Sequence, residues 1–180
     1  MNKIISLFIV AIIISFSCYA QEAGNNTISF QLPKGFKNTS LAEYKTQIKE
    51  HLSKPKEYLD RDQYYYNDKG IGMVVREMKP FKFDPSSLEA RKQFFDGLFQ
   101  KHFETKSNSS NFKDYSSVIE SYNGASFMVV KYTYDEDCYT EIDSDLKQGR
   151  YAIIVLEYNK MMSEEVNSIV ESIKKTIRLK

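Results

Sequence analysis

The chain of 180 residues contains 25 Lys and Arg residues and 24 Asp and Glu residues, which gives a formal net charge of +1 at pH 7. Hydrophobic residues make up 42% and aromatic residues 14% of the sequence, a composition that supports one folded domain with a hydrophobic core. The near-neutral charge provides no long-range field that would attract nucleic acid, so the composition argues against a nucleic-acid-binding protein.

The first twenty residues have the features of an export signal. Lys3 supplies a positive charge, and the segment from there to residue 14 is apolar apart from one serine. Small residues follow and end at Ala20, which is the pattern that a signal peptidase cleaves, and the apolar run is too short for a stable membrane span. We therefore expect residues 1–20 to be a signal peptide and residues 21–180 to form a secreted or periplasmic protein.

Cys18 leaves an alternative to this cleavage. A cysteine directly after an apolar segment is the residue that becomes lipidated in bacterial lipoproteins, and lipidation would anchor this protein to a membrane. Residues 15–17 are a poor match to the usual lipidation motif, so cleavage after Ala20 is the favoured interpretation. That cleavage leaves Cys138 as the single thiol of the mature chain, which therefore forms no internal disulfide.

The first part of the mature chain alternates between strands and a helix. Polar and apolar side chains alternate over residues 27–32, which predicts a strand. Ser40 and Glu43 form a capping box, and the apolar positions after them have the spacing of an amphipathic helix. Residues 63–66 and 71–78 flank a turn that ends in glycine, so they predict a β-hairpin.

The second part contains a helix and another hairpin. Residues 84–89 combine an early proline with Ser and Glu in capping positions, and this pattern predicts the start of a helix. Two β-rich runs follow at residues 115–122 and 125–134. They are joined by Asn123 and Gly124, and an Asn-Gly pair between such runs is a strong hairpin signal.

The last part is predicted to contain an acidic connection, a strand and a helix. We expect residues 135–148 to form the connection, because acidic residues are frequent there. Residues 151–156 are apolar on both faces and predict a central strand that is covered above and below. A helix begins at Ser163 with acidic residues in its first turn. This order of elements predicts a single α+β domain with a central antiparallel sheet flanked by helices, an α/β/α sandwich.

Two parts of the sequence resemble a known family. Residues 28–36 read Ile-Ser-Phe-Gln-Leu-Pro-Lys-Gly-Phe, and an apolar strand followed by a helix ends the chain. This arrangement resembles the PsbP-like proteins, which are relatives of the extrinsic subunit of photosystem II, and a nuclear import factor that binds a small GTPase shares their fold. The resemblance implies an antiparallel sheet between helices. Because the family has no shared catalytic constellation, it also implies an accessory role.

Carboxylates in the predicted acidic connection are the candidate metal ligands. Asp135, Asp137, Asp143 and Asp145 lie in a segment that we expect to be an extracytoplasmic loop, where oxygen ligands can gather around calcium. Their spacing does not match the EF-hand loop, and acidic connections are common because they stay solvated. A calcium-dependent binding protein that uses residues 135–145 is therefore one alternative function.

Enzymatic activity is a second alternative. A nucleophile such as Cys138 needs a base within hydrogen-bond reach, and His102 could serve only if the fold brings the two residues together. The motifs of serine hydrolases, zinc proteases, thiol oxidoreductases and P-loop proteins are absent. A hydrolase would need a site assembled from distant segments. The favoured interpretation is an exported, non-enzymatic accessory or binding protein without a cofactor, which recognises an envelope protein or a small ligand.

Overall fold

The computed structural model describes residues 21–53, 58–80, 87–104 and 112–180, with only the backbone described at residues 102–104. Within these ranges the strands are β1 Glu22–Gly24, β2 Ile28–Gln31, β3 Phe36–Thr39, β4 Gln63–Asn67, β5 Gly72–Met78, β6 Phe112–Tyr122, β7 Ala125–Tyr134, β8 Asp137–Ser144, β9 Tyr151–Asn159 and β10 Arg178–Leu179. The helices are α1 Leu41–Lys49, α2 Leu88–Glu104 and α3 Ser163–Thr176, and a 3-10 helix at Lys160–Met162 precedes α3. The predicted signal peptide with Cys18, and the predicted helix start at residues 84–86, lie outside the described residues.

The strands form two antiparallel sheets. Seven strands make the large sheet, in the order β3-β4-β5-β9-β8-β7-β6, and β1, β2 and β10 make the small sheet around β2. α1 and α2 pack on one face of the large sheet, whereas α3 and the small sheet cover the other face. This arrangement confirms the predicted α+β fold with an antiparallel sheet between helices.

The large sheet separates two hydrophobic cores. In the middle strand β9, Ile154 and Leu156 belong to the core under α3, and Val155 belongs to the core on the side of α1 and α2. Neighbouring side chains of a strand point to opposite faces, so an apolar run is required where both faces are covered. The prediction of a central strand at residues 151–156 is confirmed.

Local sequence signals set the ends of several elements. Ser40 accepts a hydrogen bond from the backbone N–H of Glu43 at 3.3 Å, and the Glu43 carboxylate accepts from the Ser40 backbone N–H at 3.1 Å. This capping box starts α1 as predicted. Asn123 and Gly124 both have positive φ angles, 51° and 79°, which is the conformation that a two-residue hairpin turn requires. The predicted hairpin of β6 and β7 is confirmed.

The predicted acidic connection is wrong for most of its length, because Asp137–Ser144 is strand β8. β8 lies inside the large sheet between β7 and β9. The sequence of β8 does not show the alternation of polar and apolar residues that marks a strand, because polar residues such as Thr140 and Asp143 occupy buried positions. Both faces of β8 are covered, and the residues around these side chains come from distant parts of the chain. Periodicity in the sequence therefore does not reveal that these polar positions are buried.

The sequence pattern also did not predict β1 and β10, the short edge strands of the small sheet. β1 precedes the first strand that the sequence predicts, and its pairing with β2 is extended by a hydrogen bond from the Leu32 N–H to the Gln21 carbonyl at 2.7 Å. β10 extends the other side of β2, where the Lys180 N–H donates to the Thr27 carbonyl at 2.8 Å. Strands this short form because a neighbouring strand supplies the hydrogen bonds, so their own sequence carries little signal.

Candidate functional site

A groove lies between α1 and α2 on one face of the large sheet. α1 packs against β4 and α2 packs against β6 and β7, so among the described residues the helices cover the two ends of this face and leave a gap between them. Two adjoining hollows of about 110 Å³ and 310 Å³ occupy the opening. We call them together the central groove, which is lined by Tyr58, Val74, Arg76, Phe95, Leu98, Phe99, Phe112, Val130, Tyr132, Glu141, Ile153, Val155 and Glu157.

Two glutamates lie in the floor of the central groove among apolar neighbours. Glu141 on β8 is paired with Val155 on β9 and with Val130 on β7. Glu157 lies two residues beyond Val155 on β9, so it is the diagonal neighbour of Glu141 on the same face, at a Cα separation of roughly 7–8 Å. Glu141 lines both hollows and therefore marks the point where they meet.

Glu157 is a buried carboxylate that accepts hydrogen bonds from two tyrosines. The Tyr44 hydroxyl on α1 donates to Glu157 Oε2 at 2.8 Å, and the Tyr58 hydroxyl donates to the same oxygen at 2.5 Å. Burial raises the pKa of both tyrosine hydroxyls, and the nearby Glu157 charge raises it further. Both hydroxyls therefore keep their protons and act as donors. This arrangement compensates a carboxylate that has no exposed surface.

Glu141 is held by a third tyrosine. The Tyr132 hydroxyl donates to Glu141 Oε1 at 2.7 Å, and the Tyr132 ring stacks on the Tyr139 ring with centroids 5.2 Å apart. Burial raises the pKa of the Tyr132 hydroxyl, with the Glu141 charge as the next cause, so this hydroxyl is also a fixed donor. The carboxylate of Glu141 is only partly buried, and it is thereby oriented at the surface of the groove.

Arg76 is the positively charged group among the described residues that line the central groove, and an acidic partner outside the lining neutralises it. Its Nε and Nη2 atoms donate to Asp62 Oδ2 at 2.9 Å and 2.7 Å. The Asp62 side chain is almost fully buried, whereas about a quarter of the Arg76 side chain is exposed. Because this pair is neutral as a unit, Glu141 and Glu157 give the described lining of the groove a net negative formal charge.

The wall formed by α2 is apolar and partly exposed. Phe95, Leu98 and Phe99 line the larger hollow, and Leu98 remains 41% exposed. Phe99 is fixed by its contacts with β6, because its ring stacks on Tyr115 with centroids 4.0 Å apart. The groove thus combines an apolar, aromatic wall with carboxylates in its floor, which is a common composition of ligand-binding sites.

The four predicted metal ligands do not converge in the structure. Asp135 and Asp137 lie at the β7–β8 turn, while Asp143 and Asp145 lie at the far end of β8. Asp143 lies six positions after Asp137 along the strand, a distance of roughly 20 Å. One ion therefore cannot bind all four carboxylates, and the acidic loop of the calcium hypothesis is corrected to a strand.

Within the described ranges, no group of three or more His, Cys, Asp or Glu side chains has an arrangement that could hold a metal ion. Asp137 instead accepts a hydrogen bond from the Ser53 backbone N–H at 3.1 Å. Calcium binding stays a prediction for which this part of the chain offers no set of ligands.

The candidate nucleophile lies on the other face of the sheet from the central groove. Cys138 is buried in the core under α3, with its sulfur 3.6 Å from the Thr133 hydroxyl. Burial raises the pKa of the thiol, which lowers the fraction of reactive thiolate. His51 packs beside Gly70 and the Tyr66 ring, and the side chain of His102 lies outside the described residues. The proposed pairing of Cys138 with His102 therefore stays untested.

Sequence reasoning missed most of the polar residues of the central groove. Arg76, Tyr58 and Tyr132 belong to strands or connections in which charged and aromatic residues are ordinary, so nothing marked them. Glu157 did carry a signal, because it is a charged residue directly after the apolar run of the predicted central strand. A charged residue at such a position indicates either the end of the strand or a buried acid whose charge is compensated by hydrogen bonds. The structure shows a buried acid of this kind.

In the part of the chain that the structure describes, no helix has the length and apolar character needed to cross a membrane.

Comparison with known proteins supports the fold. No protein-family model and no curated protein matches the sequence. The solution structure of cyanobacterial PsbP from Synechocystis sp. PCC 6803 is 10% identical, with a TM-score of 0.57, and the match covers 92% of this chain and 96% of that protein. A point mutant of the protein Mog1 and the Saccharomyces cerevisiae Ran-binding protein Mog1p are each 12% identical, with TM-scores of 0.48 and 0.49, and the matches cover 88% of this chain and 95% and 94% of theirs. The chain has a PsbP-like fold.

Proposed function

We propose that this chain is an exported, non-enzymatic binding protein, and that its central groove holds a ligand with an apolar body and a positively charged group. The observation that carries the proposal is the position of Glu141. Its carboxylate lies where the apolar hollow beside α2 meets the smaller hollow beside Glu157. A ligand that fills the apolar hollow would therefore bring its charged end to a carboxylate.

The size and lining of the larger hollow support this type of ligand. Its volume of about 310 Å³ suits a small organic molecule or one large side chain of a partner protein. The rings of Phe99, Phe112 and Tyr132 line the hollow, and aromatic faces attract cations as well as apolar groups. A free small ligand and a basic side chain of an envelope protein share this chemistry, so both are covered by the proposal.

The binding preference can be tested with three probes of matched shape. Benzylammonium, benzyl alcohol and benzoate differ mainly in charge, and their affinity for residues 21–180 can be measured by NMR titration. We expect benzylammonium to bind most tightly and benzoate most weakly, because Glu141 and Glu157 make the groove negative. The isosteric substitution Glu141→Gln should reduce the affinity for benzylammonium by about fivefold, which corresponds to about 1 kcal/mol for a partly exposed ion pair.

The matched control for this substitution is Glu136→Gln. Glu136 is exposed at the β7–β8 turn, outside the groove, and its substitution removes the same charge. We expect it to leave the affinity for benzylammonium unchanged. Equal affinity for all three probes, or an equal effect of the two substitutions, would contradict the proposed role of the groove.

Export is the second part of the proposal. The first described strand, β1, begins at Glu22, shortly after the proposed cleavage position at Ala20. The hydrogen bond between Gln21 and Leu32 supports a mature chain that enters the sheet from its first residue. The intact mass of the protein recovered from a bacterial host tests this proposal.

The recovered mass has three informative outcomes. A mass equal to that of residues 21–180 would support cleavage and release. A larger mass that fits a lipidated chain beginning at Cys18, found in the membrane fraction, would support export with a membrane anchor. The mass of the uncleaved chain in the cytoplasmic fraction would contradict export.

A further inference from the structure

A second cleft lies on the opposite face of the large sheet from the central groove. It has a volume of about 470 Å³ and lies between the β1–β2 turn and one end of β4 and β5. Gln63 and Val75, which are paired across these strands, line the cleft on the face that carries the core under α3. We call this site the basic cleft, because it is lined by three cationic side chains, Arg61, Lys79 and Arg150.

Among the described residues, one acidic side chain lines the basic cleft, and it is already paired. Glu77 forms an ion pair with Arg150 through its Oε1 atom, and its Oε2 atom accepts a hydrogen bond from the Thr27 hydroxyl at 3.1 Å. Arg61 and Lys79 are exposed and add two positive charges to this neutral pair. The whole chain has a formal charge of only +1, so this local excess is not a consequence of the overall composition.

A tight turn holds Arg150 at the cleft. Lys147 and Arg150 exchange two backbone hydrogen bonds, of 2.8 Å and 3.0 Å, across the turn between β8 and β9. Gln148 and Gly149 have the positive φ angles, 50° and 70°, that such a two-residue turn requires. The backbone of Arg150 is therefore fixed before a ligand arrives, which lowers the entropy lost on binding.

Neutral hydrogen-bonding groups complete the lining of the basic cleft. Asn25, Asn26 and Gln63 contribute side-chain amides, and Val75 and Met78 contribute apolar surface. Guanidinium groups bind carboxylate and phosphate oxygens through two parallel hydrogen bonds, and amides add further donors. The volume is within the range of sites for small organic molecules.

We infer that the basic cleft binds a small anion that carries carboxylate or phosphate groups. This inference is independent of the central groove, because the two sites lie on opposite faces and attract ligands of opposite charge. A ligand of this class would place its anionic group between Arg61, Lys79 and Arg150, and its carbon skeleton against the apolar surface of the cleft.

Thermal unfolding of residues 21–180 in different salts tests the inference. The probes are sodium phosphate and sodium citrate, each compared with sodium chloride at the same ionic strength and pH. A ligand that binds only the folded state raises the Tm, and we expect a rise of about 3 °C when the bound anion is in roughly tenfold excess over its Kd. Phosphate and citrate also stabilise folded proteins by exclusion from their surface, so a rise supports the site only where substitution of the cleft residues removes it. Such a rise with phosphate, with citrate or with both shows which anionic group the cleft accepts.

A pair of double variants assigns the effect to the cleft. The variant with Arg61→Gln and Lys79→Gln should lose most of the rise in Tm and bind the anion about tenfold more weakly. The control variant, with Lys34→Gln and Lys45→Gln, removes the same charge at exposed positions outside the cleft and should keep the rise. All four positions are exposed, so both proteins are expected to fold. No rise in the unsubstituted protein, or the same rise in both variants, whether kept or lost, would overturn the inference.

Discussion

The hydroxyl group of Tyr44 occupies the space above Gly72 that a side chain at this position would fill. Gly72 on β5 is the residue paired with Glu157 on β9. The missing side chain therefore lets Tyr44 reach across the strand from α1 and donate to the Glu157 carboxylate at 2.8 Å. This contact links the position of α1 to the buried acid of the central groove.

The close approach of α1 makes Gly72 sensitive to substitution. In Gly72→Ala the new Cβ would overlap the Tyr44 hydroxyl and lie 2.7 Å from the Ile48 side chain, which is fully buried. We expect a loss of about 1–3 kcal/mol in the free energy of unfolding, as is typical of overpacked cores. Urea unfolding followed by circular dichroism measures it.

Gly97→Ala is the matched control for this substitution. Gly97 lies in α2, and within the described residues no atom from outside its own stretch of helix comes within 4 Å of an added Cβ, so alanine should stabilise the helix by about 0.5–1 kcal/mol. A neutral effect of Gly72→Ala would show that Tyr44 does not lie over Gly72.

The two tyrosines that donate to Glu157 should act together. Tyr44→Phe and Tyr58→Phe each remove one hydrogen bond to a buried carboxylate, and we expect each to lower the free energy of unfolding by about 1–3 kcal/mol. Both hydroxyls bind the same oxygen, so the double variant should deviate from the sum of the single effects by at least about 0.5 kcal/mol. Additive effects would contradict a shared acceptor.

Tyr122→Phe provides a control for the loss of a tyrosine hydroxyl. Within the described residues the Tyr122 hydroxyl is buried and has no hydrogen-bond partner. Its removal takes away an uncompensated polar group, so we expect no loss of stability or a small gain. The same urea unfolding experiment measures this difference.

The buried tyrosines should make the protein sensitive to alkaline pH. Burial raises the pKa of the Tyr132 hydroxyl above its ordinary value of 10.0, and it raises the pKa of Tyr64 and Tyr115 to about 12. Above pH 10 the unfolded chain releases these protons while the folded chain retains them. The contribution of these protonated tyrosines to the free energy of unfolding is therefore complete below pH 10 and is lost as the pH rises through 12.

Tyr132→Phe isolates one of these groups. Its free energy of unfolding should fall less steeply between pH 10 and 12 than that of the unsubstituted protein. The difference in slope should correspond to about one proton fewer released on unfolding. Urea unfolding at several pH values gives the slope. An unchanged slope would show that Tyr132 ionises equally in the folded and unfolded chains.

Calcium should not stabilise the protein through β8. Asp137 and Asp143 lie at opposite ends of this strand, so they cannot share an ion. We expect the Tm to change by less than about 1 °C between buffers with calcium and with a chelator. A calcium-dependent rise that disappears in Asp143→Asn would instead establish a calcium site that includes this carboxylate.

Sequence patterns predicted the elements whose signals are local. The capping box of Ser40 and Glu43, and the Asn123-Gly124 turn, depend on residues within four positions of one another, and both are present in the structure. The apolar run of β9 also carries its own signal. β8 does not, because Thr140 and other polar residues occupy buried positions whose surroundings come from neighbouring strands.

The central groove could not be predicted for the same physical reason. Tyr58 is 99 residues from Glu157 in the sequence, and Tyr44 is 113 residues from it. Only the pairing of β5 with β9 and the packing of α1 bring these groups together. The sequence shows that tyrosines and acids are frequent, but it does not show which of them meet.

The most direct test of the central groove is to map where a cationic aromatic probe binds. Methyl NMR spectra of residues 21–180 can be recorded during a titration with benzylammonium. We expect the largest shifts at Val130, Ile153 and Val155, which lie in the floor of the groove, and we expect Glu141→Gln to reduce them. Shifts centred on Ile154 and the core under α3, or no saturable shifts, would contradict a binding site between α1 and α2.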